Sequence, residues 1–280
     1  FNVKFVNQTD LETLWDVCLA TRPRIILTES PSNPVLRISD LAAIRGIATE
    51  CGALFAVDNT FLSPALQNPI EFGADLVIHS TTKYINGHSD VVGGAVIAAS
   101  DELAEECAYW ANVIGITGAP FDSFMTLRGI RTLHPRIRQH EESAGEIARL
   151  LEAQPNVGQV YYPGLESHDG HALAKTQQRG FGGMVSFEID GGEAAVRAFV
   201  DSLTLFSLAE SLGGVESLVC HPASMTHAPV SAERKAAAGI TSTLIRLSVG
   251  LESTADLVAD LNVALEAARR APQIAAVAAV

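Results

Sequence analysis

The chain has 280 residues, of which 48% are hydrophobic and 18% charged, and a formal net charge of −13. That composition belongs to a globular protein and excludes disorder. The 32 acidic residues against 19 basic ones exclude a nucleic-acid surface, which needs clustered Lys and Arg to displace counterions, and favour small-molecule partners.

In chain order, Phe1–Val6 reads as a strand. A chain that opens on Phe inside a strand, with no methionine, is expected to be a fragment or a cleavage product. Arg24–Glu29 reads as a buried strand, and Ser39–Cys51 as a helix. Leu41, Ile44, Ile47 and Ala48 fall on one face of that helix, with Ser39 as its N-cap. Strands follow at Leu54–Asp58, Ala74–His79 and Gly94–Ala99, then a helix at Asp101–Ile114. This rhythm predicts an α/β domain with a mainly parallel sheet covered on both faces. Ser123–Gln154 reads as helical, broken at His134-Pro135, where the lost donor and the ring clash stop a helix. The break divides the chain into residues 1–137 and 138–280. In the second part Gly182–Ile189 and Thr243–Val249 read as strands, and Gly192–Ser202 and Thr254–Arg269 as helices, which predicts a smaller α+β domain. The apolar tail Ala271–Val280 is too short to span a bilayer.

Cys18, Cys51, Cys107 and Cys220 lie far apart in sequence and form no C-x-x-C pair. Scattered thiols suit a reducing cytoplasm rather than a zinc site. His79, His88, His221 and His227 have no metal-ligand spacing, and Gly180–Gly183 precedes a strand, so it is no dinucleotide fingerprint. Trp15 and Trp110 read as core or interface residues.

The chemistry concentrates where parallel α/β sheets bind ligands, beyond the carboxyl ends of the strands. Glu29–Pro34 (E-S-P-S-N-P), Asp58–Thr60 (D-N-T) and His79–Lys83 (H-S-T-T-K) each follow a predicted strand. A partly desolvated lysine at such an edge becomes a nucleophilic amine. An aspartate on the adjacent strand supplies what a pyridinium nitrogen requires, and hydroxyls beside the lysine suit a phosphate. Taken singly, Lys83 reads as a surface lysine, Asp58 as a cap or ion pair, and Ser80 and Thr82 as turn residues. Their order on successive strands points to pyridoxal 5′-phosphate held by Lys83 as a Schiff base.

The run His79–Gly94 (H-S-T-T-K-Y-I-N-G-H-S-D-V-V-G-G) resembles the lysine segment of the Cys/Met-metabolism PLP-dependent enzymes. Ala56–Phe61, Glu29–Pro34, Leu208–Ser217 and Leu244–Gly250 resemble further motifs of that family in the same order. The resemblance implies fold-type I, an aspartate-aminotransferase-like large domain followed by the smaller C-terminal domain. It implies that Lys83 carries the cofactor and shuttles protons, that Asp58 partners the pyridinium nitrogen, and that Asn33 bonds the cofactor's 3′ oxygen. Ser80 and Thr82 are similar to the phosphate-binding hydroxyls. Arg246, helped by Ser211, resembles the clamp for the substrate α-carboxylate, where a bidentate guanidinium contact is expected.

Glu210 resembles the glutamate of members that act at the γ carbon, where it pairs with a distal substrate ammonium; the plainer reading leaves it merely exposed. The implied reaction is γ-replacement, joining an O-acylhomoserine and cysteine to give cystathionine, with γ-elimination of cystathionine as the alternative. The resemblance also implies a cytoplasmic homotetramer built from dimers. The family's N-terminal part, which supplies a tyrosine stacking on the cofactor and an arm to the neighbouring subunit, has no counterpart in these residues. A non-catalytic subunit that keeps the fold is therefore the reading from a different class.

Overall fold

The structure, a computed structural model, describes residues 2–271. Its elements run α1 (Leu11–Thr21), β1 (Ile25–Glu29), α2 (Leu41–Cys51), β2 (Leu54–Asp58), α3 (Ser63–Leu66), β3 (Leu76–Ser80), β4 (Gly94–Ala98), α4 (Asp101–Ile114) and α5 (Pro120–Ile130). They continue with α6 (Leu133–Glu152), β5 (Val157–Tyr161), α7 (His171–Gln177), β6 (Met184–Ile189), α8 (Gly192–Ser202), β7 (Ser207–Leu208), β8 (Leu218–Cys220), α9 (Ala232–Ala238), β9 (Leu244–Ser248) and α10 (Thr254–Arg270). The chain forms two compact units: Phe1–Asn33, Arg37–His134 and Asp169–Phe181 in the first, Pro34–Leu36, Pro135–His168 and Gly182–Val280 in the second.

The first unit carries a sheet of order β1-β2-β3-β4. β1, β2 and β3 are parallel, in the register Glu29–Asp58 and Asp58–Ile78. β4 runs antiparallel to β3, because the connection between them holds a turn and a loop but no crossover helix. Alternation along each strand sends Ile26, Phe55, Val57 and Val77 into one core with Leu14 and Cys18 of α1 and Leu41, Ile44 and Ala48 of α2. Trp15 packs against this core from its edge. The intervening residues Glu29, Asp58 and Ser80 belong to the opposite side of the pleat. Cys18 and Cys51, remote in sequence, are neighbours in this core, and burial first and Cys51 second raise the Cys18 thiol pKa. Trp110 stays half exposed on α4, edge-on to Tyr109.

The second unit carries the order β5-β6-β9-β8-β7. Its strands pair antiparallel except β7 with β8. Phe187 of β6 meets Phe199 of α8 edge to face at 5.5 Å, both fully buried. Buried Leu257, Leu261, Ala264 and Leu265 form the apolar stripe of α10.

The observed elements depart from the expected ones at several places. Residues 2–6 form no strand; Val3 and Phe5 are exposed and only Val6 reaches the core, so no ladder is buried. Phe1 and residues 272–280 lie outside the described residues. The cap of α2 is Asp40, not Ser39: Asp40 Oδ1 accepts from Ala43 N at 2.9 Å. The helical break falls at Arg131–Thr132, and Pro135 sits in the first turn of α6, where a missing N–H costs nothing. Among the described residues no helix is long and apolar enough to cross a membrane.

Candidate active site

In the first unit, parallel pairing fixes three strand ends side by side, and each hands its last residues to one edge. Asp58 closes β2, half-buried, with Oδ1 accepting the Thr60 N–H at 3.0 Å. This Asx-type turn folds Asn59 and Thr60 back over the strand end. Oδ2 of Asp58 accepts no hydrogen bond among the described residues. Thr60 in turn accepts the Ser80 N–H on its Oγ1 at 2.9 Å. Asn59, buried, reaches the other way: its Nδ2 donates to Gln67 O at 2.8 Å and its Oδ1 accepts from Gln67 Nε2 at 2.9 Å. Gln67 Nε2 also donates to Ser30 O at 2.9 Å, which fixes the Glu29–Asn33 turn beside Asp58. Within that turn Glu29 Oε2 accepts from Asn33 N at 3.0 Å.

Lys83 lies in a single wide turn, Thr81–Ile85, that follows β3; its φ of −91° and ψ of −133° depart from helical values. Gly87 N donates to Lys83 O at 2.7 Å and Asn86 N to Thr81 O at 2.9 Å, closing the turn around a half-buried lysine. Helix α5 backs this turn through Gly129, where a Cβ would stand 2.3 Å from Asn86 O. Thr82 Oγ1 accepts from Gly93 N at 2.9 Å and donates to Gly93 O at 3.2 Å. Ser80 Oγ carries no hydrogen bond among the described residues. His79 is buried, its pKa pushed down by burial against the pull of the Asp58 charge, and it stands as a neutral imidazole at neutral pH.

A carboxylate with an open oxygen, a serine hydroxyl with an open hydrogen and a half-buried amine form a donor set that fits a protonated pyridine ring, a phosphate and an aldehyde carbon. The first unit thus holds Asn33, Asp58, Ser80, Thr82 and Lys83 on one sheet edge or in the turns that leave it.

The second unit holds Glu210, Ser211 and Arg246 together. Arg246, in the middle of β9 and 1% exposed, donates from Nη2 to Glu210 O at 2.8 Å and Ser211 O at 3.1 Å. A guanidinium fork held at one nitrogen by backbone carbonyls has a fixed plane. Glu210 is exposed and Ser211 half-buried. His227 lies close enough to Arg246 that burial, the arginine charge and the Lys235 charge all lower its pKa.

Thr60, Gly93, Gly129 and Gln67 support this edge in roles that their residue types alone do not announce. Thr60 stood two residues beyond Asp58, and its hydroxyl was the available signal; the role of Gly129 depends on a contact remote in sequence.

The model of the family described as "Cys/Met metabolism PLP-dependent enzyme" matches residues 1–266. Cystathionine gamma-synthase of Escherichia coli (strain K12) is 53% identical over 96% of this chain and 70% of its own length. Cystathionine gamma-lyase of Dictyostelium discoideum is 47% identical over 95% of this chain and 69% of its own. The crystal structure of cystathionine gamma synthase from Xanthomonas oryzae pv. oryzae, in complex with cystathionine, superposes with a TM-score of 0.92 at 61% identity, covering 94% of this chain and 68% of that one.

Fold and donor set together define a pyridoxal-phosphate-dependent enzyme of fold-type I. The chain belongs to the Cys/Met-metabolism PLP-dependent enzyme family.

Proposed function

We propose that the protein catalyses γ-replacement, joining an O-acylhomoserine and cysteine to give cystathionine. The observation that carries the reading is the placement of Glu210: an exposed carboxylate directly ahead of Ser211, on backbone that buried Arg246 grips. Glu210 favours chemistry at the γ carbon in general, and likeness to a synthase at 61% identity, against 42% for a gamma-lyase structure from Micromonospora echinospora, favours replacement within it.

Pyridoxal phosphate, when bound, supplies an electron sink for substrate bonds at the α carbon. Lys83 holds it and moves protons at the substrate's α and β carbons. Asp58 keeps the ring nitrogen protonated through its open oxygen. Asn33 orients the ring's 3′ oxygen, Ser80 donates to the phosphate, and Thr82 does so once its hydroxyl turns from Gly93 O. Arg246 binds the α-carboxylate with Ser211 beside it, and Glu210 pairs with a distal ammonium. The reading includes a cytoplasmic homotetramer of paired dimers, checked by sedimentation of the native material and by fractionation of the cells that make it.

Product analysis tests the reaction. The holoenzyme receives cystathionine alone, then O-succinylhomoserine with cysteine. Net cystathionine formation is expected, and Lys83→Ala removes both turnover and the borohydride-sensitive visible absorbance. Release of 2-oxobutanoate and ammonia from cystathionine, faster than any synthesis, replaces this reading with γ-elimination.

A further inference from the structure

The segment that carries Glu210 and Ser211 is tied along its length to β9 and the residues just after it. Arg246 Nη2 donates to Glu210 O and Ser211 O. Ser248 Oγ accepts the Gly213 N–H at 2.8 Å, and Val215 O accepts the Leu251 N–H at 2.8 Å. At the far end Glu252 closes the strap: Oε1 accepts the Ser217 N–H at 2.7 Å and Oε2 accepts the Ser217 hydroxyl at 2.8 Å. The same hydroxyl oxygen accepts the Gly250 N–H at 2.8 Å. Ser217 is fully buried, and a Cβ at Gly250 would stand 2.6 Å from Ser217 N and from the Glu216 carbonyl carbon. The two backbones therefore touch with no space for slack.

A carboxylate that accepts two hydrogen bonds from one residue makes a stiff, charge-assisted joint. Ser217, fully buried, has an N–H and a hydroxyl out of reach of water, and the half-buried Glu252 carboxylate accepts from both. The joint also fixes the far end of an eight-residue span, Glu210–Ser217, whose near end is the Arg246 grip. With both ends fixed, the Glu210 and Ser211 carbonyls stay where they orient the guanidinium, and precise placement of a binding group depends on such supports.

We propose that Glu252 is a positioning residue for substrate-carboxylate recognition, acting through Ser217 on the Glu210–Ser211 segment and through that segment on Arg246. The proposal rests on the reading of Arg246 as the carboxylate clamp. Glu252 touches no reacting atom; it holds the strap that holds the clamp. Glu252→Gln presents an amide N–H to one of two donors, so the joint loosens while side-chain volume stays.

The test titrates holoenzyme with L-methionine and with L-methioninamide, reading binding from the cofactor's visible band. The pair differs at the carboxylate and in α-amine basicity, and the latter is the same for every variant and cancels in the comparison. Glu252→Gln is expected to weaken the acid about tenfold, the scale of one charge-assisted hydrogen bond, and leave the amide unchanged. Ser217→Ala should move the same preference in the same direction and carries the test if Glu252→Gln does not fold. Equal loss for acid and amide, or no loss, overturns the proposal by making the joint merely structural. Arg246→Gln separates the two levels: if it preserves the preference for the acid, the clamp reading itself fails; if it abolishes the preference while Glu252→Gln and Ser217→Ala preserve it, only the positioning role fails.

Discussion

The Thr60 hydroxyl accepts the Ser80 N–H at 2.9 Å, so one oxygen joins the strand end bearing Asp58 to the turn bearing Lys83. Thr60→Val keeps the shape and strands a half-buried backbone donor, which costs about 1–3 kcal/mol. The expected result is cofactor affinity about tenfold weaker by equilibrium titration. Thr60→Ser, which keeps the oxygen, should bind within about twofold of the parent protein, well below the 1.4 kcal/mol that marks a tenfold change.

Gly129 inverts the usual ranking of helix formers. In an exposed helix Gly→Ala gains about 1 kcal/mol. Here the new methyl would meet backbone, 2.3 Å from Asn86 O and 2.8 Å from Asn86 Cα, and neither can swing away. Gly129→Ala is expected to lower stability by about 1–3 kcal/mol in urea unfolding and to weaken cofactor retention, because the strain falls on the Lys83 turn.

His140 makes stability depend on acid. Burial drives its pKa down from 6.5 to about 4, partly opposed by the hydrogen bond to Val249 O, with the Arg136 charge adding to the fall. The folded protein keeps this imidazole neutral while the unfolded chain protonates it below its ordinary pKa. Stability is therefore complete above pH 6.5 and falls as the pH drops toward 4, by about 3 kcal/mol for this group. His140→Asn retains a donor for Val249 O without a titrating group. Denaturant unfolding at pH 7 and pH 4.5 should show a smaller acid loss in this variant than in the parent.

Asp40→Ala should cost about 1 kcal/mol by removing the acceptor of Ala43 N, whereas Ser39→Ala leaves that cap intact. Thermal unfolding of the two variants compares them directly; equal losses would overturn the assignment of the cap.

Elements with a clean period stood out in the chain. β2, α4 and α8 carry the bounds expected for them, because β2 is a short continuous apolar run and the apolar residues of the two helices recur at helical spacing. α1, which the sequence expectations did not include, has Leu11, Leu14, Trp15 and Cys18 at the same spacing, with Asp10 capping it through Thr13 N. The short strands β7 and β8, of two and three residues, have no room for a period. The candidate edge was legible since its acid, lysine and hydroxyls lie on or just past consecutive strand ends. Its supports were not: Gln67 to Ser30 and Gly129 to Asn86 are contacts across long stretches of chain, and a residue type announces no distant neighbour.

The two units are not consecutive lengths of chain. Residues 169–181 return to the first unit, where Gln177 Nε2 donates to Ser39 O at 3.0 Å, and Pro34–Leu36 belong to the second, where Pro34 O accepts the Ser186 hydroxyl. A gene cut at position 134 would thus yield two incomplete pieces, each lacking a strip encoded by the other. Separate expression should give insoluble or labile halves, and recovery would require both pieces in the same cell.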